Sequence, residues 1–529
     1  MAGRIAIDFG TANTVLANWD SVRQQGLVYP LSDYARFVQM NDEQVSVVPS
    51  LIHFGANGQN WYGNQVLARN LAQSNRSFQW MKRYISMRSP ATRKIDERQI
   101  SNHEAAEDFL TKIITTLKSD LSLTEEEEIA FTVPVEAFEH YENWLLGVAQ
   151  RAGLKRVRFI DEPSAAALGY STRMFPEEAC LVFDFGAGTL DISIVKQDIA
   201  EDTGNARSRV LGKAGTELGG ANIDEWLFQE IISQNGYSDK DPEVQQISRL
   251  LLSEAEALKE RLSFQEKSSL TVMNPMTGSV ISCDYTRAQL ETLLENKDAY
   301  ALIDRTLRRA MADARERGFD VENIKTVLMV GGCSQIPSVQ STLKRIFGKD
   351  KVKIERPLDA IARGAASFIS GQSFDDYIQH DYAIRHKNLS TNQYEYRTLV
   401  RKGSPYPSSG PIAQLKVKAV NNSQEEFIMQ IFEIGDKSSG HASGFELFFD
   451  ETGNARLSAV SAADLEQRQM FWINEKNRTL LTANPPAMQG VERFEVTFSI
   501  DSNRRLLISS KDIKTGFQIY QDFPVVKLN

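Results

Sequence analysis

Residues 181–195 read LVFDFGAGTLDISIV. The apolar run Leu181-Val182-Phe183 delivers Asp184 to a turn of small residues, Gly186-Ala187-Gly188-Thr189, and Asp191 then opens an alternating apolar segment. This pattern predicts a β-hairpin whose turn has too little side chain to pack, so its backbone is free to approach a ligand. Residues 4–17, RIAIDFGTANTVLA, repeat the device, with Asp8, Gly10 and Thr11 in the same places. Two such hairpins in one chain predict a duplicated domain with a cleft between its halves.

The order of elements around the hairpins is also repeated. After the first come helix and loop over 61–88, a helix over 104–121, the strand Ile129–Val133 stopped by Pro134, a helix over 136–152, the strand Val157–Ile160 and an alanine-rich helix from Ser164. After the second come GTELGGANID (215–224), a charged helix over 245–262, a helix over 299–317 and the strand Thr326–Val330 running into Gly331-Gly332. Strands alternating with helices predict an α/β layered domain over 1–371. From Tyr394 onward, short alternating runs (415–420, 427–434, 445–449, 494–500, 506–510) are separated by turn-formers such as Thr452-Gly453-Asn454. They predict a C-terminal β-sandwich over 394–529. The polar stretch 372–393 reads as a linker.

The whole chain has 529 residues, 42% hydrophobic and 24% charged, with net charge −9. This suits a globular protein of several domains and disfavours nucleic acid or an anionic membrane as partner. The acidic run Glu125–Glu128 reads as a solvated segment. Cys180, Cys283 and Cys333 are scattered, and the six histidines form no HExxH pattern, so neither a disulfide framework nor a zinc site is expected. With no apolar leader or membrane-length apolar run, a cytoplasmic location is the expectation.

Glycine-rich hairpins present consecutive backbone N–H groups as anion nests, suited to nucleotide phosphates. Asp8 and Asp184, facing one another across the cleft, suit Mg²⁺, which keeps waters and bridges phosphate oxygens. Hydrolysis of a γ-phosphate further needs a carboxylate to orient water, and Glu162, at a strand end before a helix, can supply it.

Residues 1–371 resemble the nucleotide-binding domain shared by actin, sugar kinases and heat-shock chaperones. The resemblance rests on IDFGTANT (7–14), VPVEAF (133–138), IDEPSAAALGY (160–170), FDFGAGTLD (183–191) and VGGCSQIP (330–337). GTELGGANID (215–224), EAEALKERLS (254–263), RPLDAIARGAA (356–366) and, in the tail, TLVRKGSPYP (398–407) and FEVTFSIDSNRRLLISSKDIKTG (494–516) resemble the heat shock protein 70 (DnaK-like) chaperone family. The resemblance implies an actin-like two-lobed fold, ATP/ADP and Mg²⁺ as ligands, unfolded peptides as partners, and co-chaperones. It implies Asp8 and Asp184 as Mg²⁺-water carboxylates, with Gly10, Thr11, Ala12, Asn13, Gly186, Ala187 and Gly188 on the phosphates. Glu162, Asp191 and Thr189 take catalytic roles. Gly219, Gly220, Glu256, Lys259, Ser263, Gly331, Gly332 and Cys333 line the nucleoside side.

Departures from the family pattern shape the functional expectation. Counting back from Lys82-Arg83 puts Leu67 where the family's γ-phosphate lysine is expected, with Arg69 pointing elsewhere. Loss of one such donor costs about 10²–10³ in turnover, so slow hydrolysis is expected. Glu260 and Gln335 stand where the family places two adenine-stacking arginines, each stack worth roughly 0.5–2 kcal/mol, with Arg261 as a substitute. Adenine selectivity stays open. Residues 373–378 lack the family's interdomain linker pattern, Pro134 is present but Glu142 replaces a switch arginine, and the C-terminal helical lid has no counterpart before Asn529. The first expectation is an ATP-dependent chaperone whose sandwich binds extended peptides without a lid. The alternatives are a nucleotide-holding scaffold that docks a specific partner and, further off, an actin-like filament protein. A sugar kinase leaves the tail unexplained.

Overall fold

The computed structural model describes residues 4–40, 43–135, 137–170, 178–199, 206–371, 373–435, 445–459, 470–501 and 504–528. The chain forms two compact units: residues 1–135, 144–375 and 439–460, and residues 136–143, 376–438 and 461–529.

In the first unit, the two predicted hairpins are the centres of two sheets. Arg4–Phe9 pairs antiparallel with Asn13–Asp20 and parallel with Glu128–Val133. Ala179–Phe185 pairs antiparallel with Leu190–Ile199 and parallel with Ile324–Val330. The same mixed order on both sides is the duplication expected from the repeated motif. Apart from Arg4, Asp8 and Asp184, the two central strands carry only apolar residues, as strands covered by helices do; Ala179–Phe185 is buried throughout.

Local signals set the helix ends. Ser101 caps the helix Asn102–Asp120, accepting from the Glu104 N–H while the Glu104 carboxylate accepts from the Ser101 N–H at 2.8 Å. Pro242 opens the helix Pro242–Phe264. The alanine-rich helices Glu162–Tyr170 and Ala360–Ile369 cross at near backbone contact: a Cβ on Gly364 would meet the Ala165 carbonyl oxygen at 1.6 Å. Small residues there let one core join Ala6 and Val182, and with them the two sheets.

The second unit is a β-sandwich. One sheet contains Tyr394–Val400, Asp381–Lys387, Gln424–Ile434 and Met470–Trp472, with Thr479–Ala487 also on Gln424–Ile434. The other orders Ala413–Lys418, Glu492–Ile500, Arg505–Asp512 and Gln518–Lys527. Their inward faces share a core including Ile431, Leu481, Phe494 and Ile508. Asp381–Lys387 is a strand although its sequence has no clear alternation, since its Tyr382, Ala383 and Ile384 are buried consecutively. Glu142, at the position of the family's switch arginine, is buried in this unit and held by Lys527 at 2.9 Å and Arg504 at 3.6 Å.

One expected sandwich strand lies elsewhere. Phe445–Phe449 pairs with Ala455–Ala459 as a separate hairpin, and Leu447, Phe449 and Ala455 join the core of the first unit. Alternation specifies a strand with one buried face but does not say against what that face packs.

Candidate functional site

Both hairpins close alike: the Gly10 N–H donates to the Asn13 carbonyl and the Gly186 N–H to the Thr189 carbonyl, each at 3.0 Å. The turns meet tip to tip, so a Cβ on Gly188 would stand 2.5 Å from Thr11 Oγ1. Gly219 and Gly220 pack on the second turn, with the Gly220 N–H donating to the Gly186 carbonyl at 3.0 Å and the Ala221 N–H to the Ala187 carbonyl at 2.8 Å. Gly331, at φ +80°, closes the other side; a Cβ there would meet the Phe185 carbonyl oxygen at 2.4 Å and Asp184 Oδ1 at 2.7 Å. Glycine is required at that position by both space and backbone conformation.

Four carboxylates collect at the strand ends behind these turns: Asp8, Glu162, Asp184 and Asp191, all buried. Burial, then the charge of Glu162, pushes Asp8 up to about 6 against the pull of Lys82 and the Thr132 hydroxyl. Asp191 is pushed up to about 7 by burial and then Glu162, and Asp184 well above the usual carboxylate range by burial, Glu162 and Asp191. Thr132 Oγ1 donates to Asp8 Oδ1 at 2.8 Å, and the Val135 N–H to Asp191 Oδ1 at 3.0 Å. Asp191 Oδ2 and Asn13 Oδ1 are buried with no partner among the described residues. Thr189 and Ala12 stand half-buried at the turns.

The cation among them is Lys82, from the helix Met81–Ser86, whose Nζ donates to Glu162 Oε1. This corrects the expectation drawn from Leu67. Leu67 lies half-buried in the short helix Asn64–Ala68, and Arg69 stacks on the Trp61 ring at 3.8 Å. The Lys-Arg pair used as a landmark in the sequence itself carries the charge. One lysine against four buried carboxylates leaves negative charge in surplus. The all-oxygen donor set and the orphaned Asp191 Oδ2 fit Mg²⁺. Among the described residues no three His, Cys, Asp or Glu side chains gather as direct ligands.

Among the residues expected on the nucleoside side, Lys259 Nζ bonds Asp224 Oδ1 at 2.7 Å and donates to the Gly220 carbonyl at 3.2 Å. A Cβ on Gly220 would stand 2.8 Å from Lys259 Nζ and 2.9 Å from Cys333 Sγ, so these three predicted residues do come together. Burial pushes the Cys333 thiol up to about 12, which leaves it unreactive. Glu256 is half-buried one turn before, its carboxyl raised chiefly by burial, and Gly332 faces open space. Ser263 donates back to the Lys259 carbonyl at 3.3 Å. Glu260 is exposed and Gln335 half-buried. Arg261, the expected substitute, is tied to Ser268 Oγ at 2.7 Å and the Ser269 carbonyl at 3.1 Å. Sequence reasoning missed Lys82, Thr132 and Asp224, although each lies in or beside a motif it used.

The family model described as "Hsp70 protein" matches residues 4–372. A curated relative, the "Chaperone protein DnaK" of Thermosipho melanesiensis, is 26% identical, the match covering 97% of this chain and 78% of the relative.

Proposed function

Because this chain belongs to the Hsp70 protein family, we propose that it is a chaperone that binds ATP with Mg²⁺ between its two glycine hairpins, hydrolyses it, and binds extended peptides through its β-sandwich. The observation that carries the reading is the buried Lys82–Glu162 pair among Asp8, Asp184 and Asp191. The backbone N–H groups of 11–13 and 187–189 would cradle phosphates, with the Thr11 and Thr189 hydroxyls beside them. Asp8 and Asp184 would hold Mg²⁺, and the ion would supply charge neutralisation on the phosphates. Lys82 steadies the charge that develops on the transferred phosphoryl group. Glu162, held by Lys82, orients the attacking water, and Asp191, with one oxygen fixed by the Val135 N–H, keeps the other for that water or the ion's shell. With Lys82 in the cluster, slow turnover loses the basis it had in Leu67.

For the sandwich, the supporting feature is the edge strand Tyr394–Val400, whose Tyr394 and Tyr396 are exposed; such an edge offers main-chain groups to an extended partner. The test is an ATP titration with and without Mg²⁺ followed by single-turnover hydrolysis, with peptide anisotropy measured in ATP and in ADP. Absence of nucleotide binding sinks the reading. Tight binding without turnover moves it to a scaffold that keeps nucleotide as a structural cofactor.

A further inference from the structure

Phe449 sits where the two halves of the first unit meet. Its ring lies 4.8 Å from the guanidinium of Arg93, on the first-half strand Thr92–Ile95, and 4.8 Å from that of Arg249, on the second-half helix Pro242–Phe264. Both arginines are buried, and the described residues offer neither a carboxylate within ion-pair distance. What compensates them is the ring face and main-chain oxygens: Arg93 donates to the Ser77 carbonyl, and Arg249 to those of Ser77 at 3.0 Å, Ala72 at 2.9 Å and Gly453 at 3.4 Å. Burial holds Arg249 down at about 10, and burial, then the charge of Arg249, holds Arg93 well below its usual value.

The rest of the 445–459 hairpin bonds both halves through its backbone. On the first-half side the Lys94 N–H donates to the Glu451 carbonyl at 3.2 Å, and Tyr84 Oη to the Leu447 carbonyl at 3.1 Å. On the second-half side the Ala455 N–H donates to Ser248 Oγ at 3.0 Å. Tyr84 lies on the same short helix as Lys82. An apolar ring clamped by two like charges, with main-chain bonds to either side, is a fastener between the halves. Its sequence lies in the sandwich half of the chain, yet its contacts are in the nucleotide-binding unit.

We propose that the hairpin 445–459 is a strap across the two halves of the nucleotide-binding unit, that it holds the cleft shut, and that it slows release of bound nucleotide. This rests on the nucleotide reading above. Release requires the halves to part, and parting them exposes the Phe449 ring and breaks the bonds of Arg249 to the Ser77 and Ala72 carbonyls.

The experiment is stopped-flow release of a fluorescent ADP analogue from full-length wild type, Phe449→Ala and Phe449→Leu, with circular dichroism confirming that each variant is folded. Release should quicken about tenfold or more in Phe449→Ala, within the usual range of coupling between sites, and less in Phe449→Leu, which keeps bulk without the ring face. Equal release rates in all three overturn the strap. If wild type binds no ADP, the nucleotide reading falls, and the strap is judged on nucleotide-free protein by amide hydrogen exchange. Faster exchange over 77–94 and 245–253 in Phe449→Ala then supports a fastener, and unchanged exchange overturns it.

Discussion

Lys82 and Glu162 form a buried ion pair, each side chain 7% exposed, between a short helix and the head of the helix Glu162–Tyr170. Breaking such a pair from one side leaves an uncompensated charge in a site already rich in carboxylates. Lys82→Ala should therefore lower single-turnover hydrolysis by about 10²–10³. Leu67→Lys should leave the rate within about twofold of wild type, because that position lies in a different helix. Turnover restored to Lys82→Ala by adding Leu67→Lys would return the phosphate lysine to position 67.

Gly331→Ala tests the closeness of the backbones around Asp184. The new Cβ meets Asp184 Oδ1 and the Phe185 carbonyl at a positive φ, and such backbone strain costs about 1–3 kcal/mol. Calorimetric titration should show weaker ATP binding together with a lower melting temperature. Gly147→Ala, which also has open space at its Cβ and is not assigned to nucleotide, is the control and should leave ATP binding unchanged.

Arg261→Ala should leave ATP affinity within about twofold of wild type, since half-buried Arg261 gives its donors to Ser268 Oγ and the Ser269 carbonyl. GTP competition against ATP measures the base selectivity left by Glu260 and Gln335. A tenfold loss of ATP affinity in Arg261→Ala would mean that the guanidinium leaves those serines to reach the base.

Glu139 gives the second unit a pH dependence. Burial, then the charge of Glu433, pushes its carboxyl up from 4.5 to about 8, and its own N–H donates to Glu433 Oε2 at 3.2 Å. Between those values the unfolded chain has lost the proton while the folded one keeps it, so the folded state binds more protons and stability falls as pH rises. Glu139→Gln removes the titration. The urea midpoint of the variant should exceed that of wild type at pH 8 and approach it near pH 4. A difference independent of pH would rule out Glu139 as the titrating group.

Some of this was legible before any coordinates. The hairpins at 4–17 and 181–195 follow from alternation and from glycines at turns, both local. Helix starts such as Ser101 and Pro242 follow from capping chemistry within a few residues. The strand at 381–387 was not legible, because three consecutive buried residues erase the alternation that marks a half-buried strand. Lys82 was misread for another reason: a count along the chain gives a position and no direction in space.

By itself the sequence determined the duplicated hairpins, the aspartates at their ends, the glycines that let the turns approach, and the family to which these belong. All of these are set by residues adjacent in the chain or repeated in a fixed order. Tertiary structure alone decided that Lys82 meets Glu162, 80 residues away, and that Leu447 is held by Tyr84, 363 residues away. It also decided that Phe449 packs between Arg93 and Arg249 and not in the sandwich. An apolar side chain and a buried cation each gain by burial against any suitable partner, and only the closed fold selects which one is there.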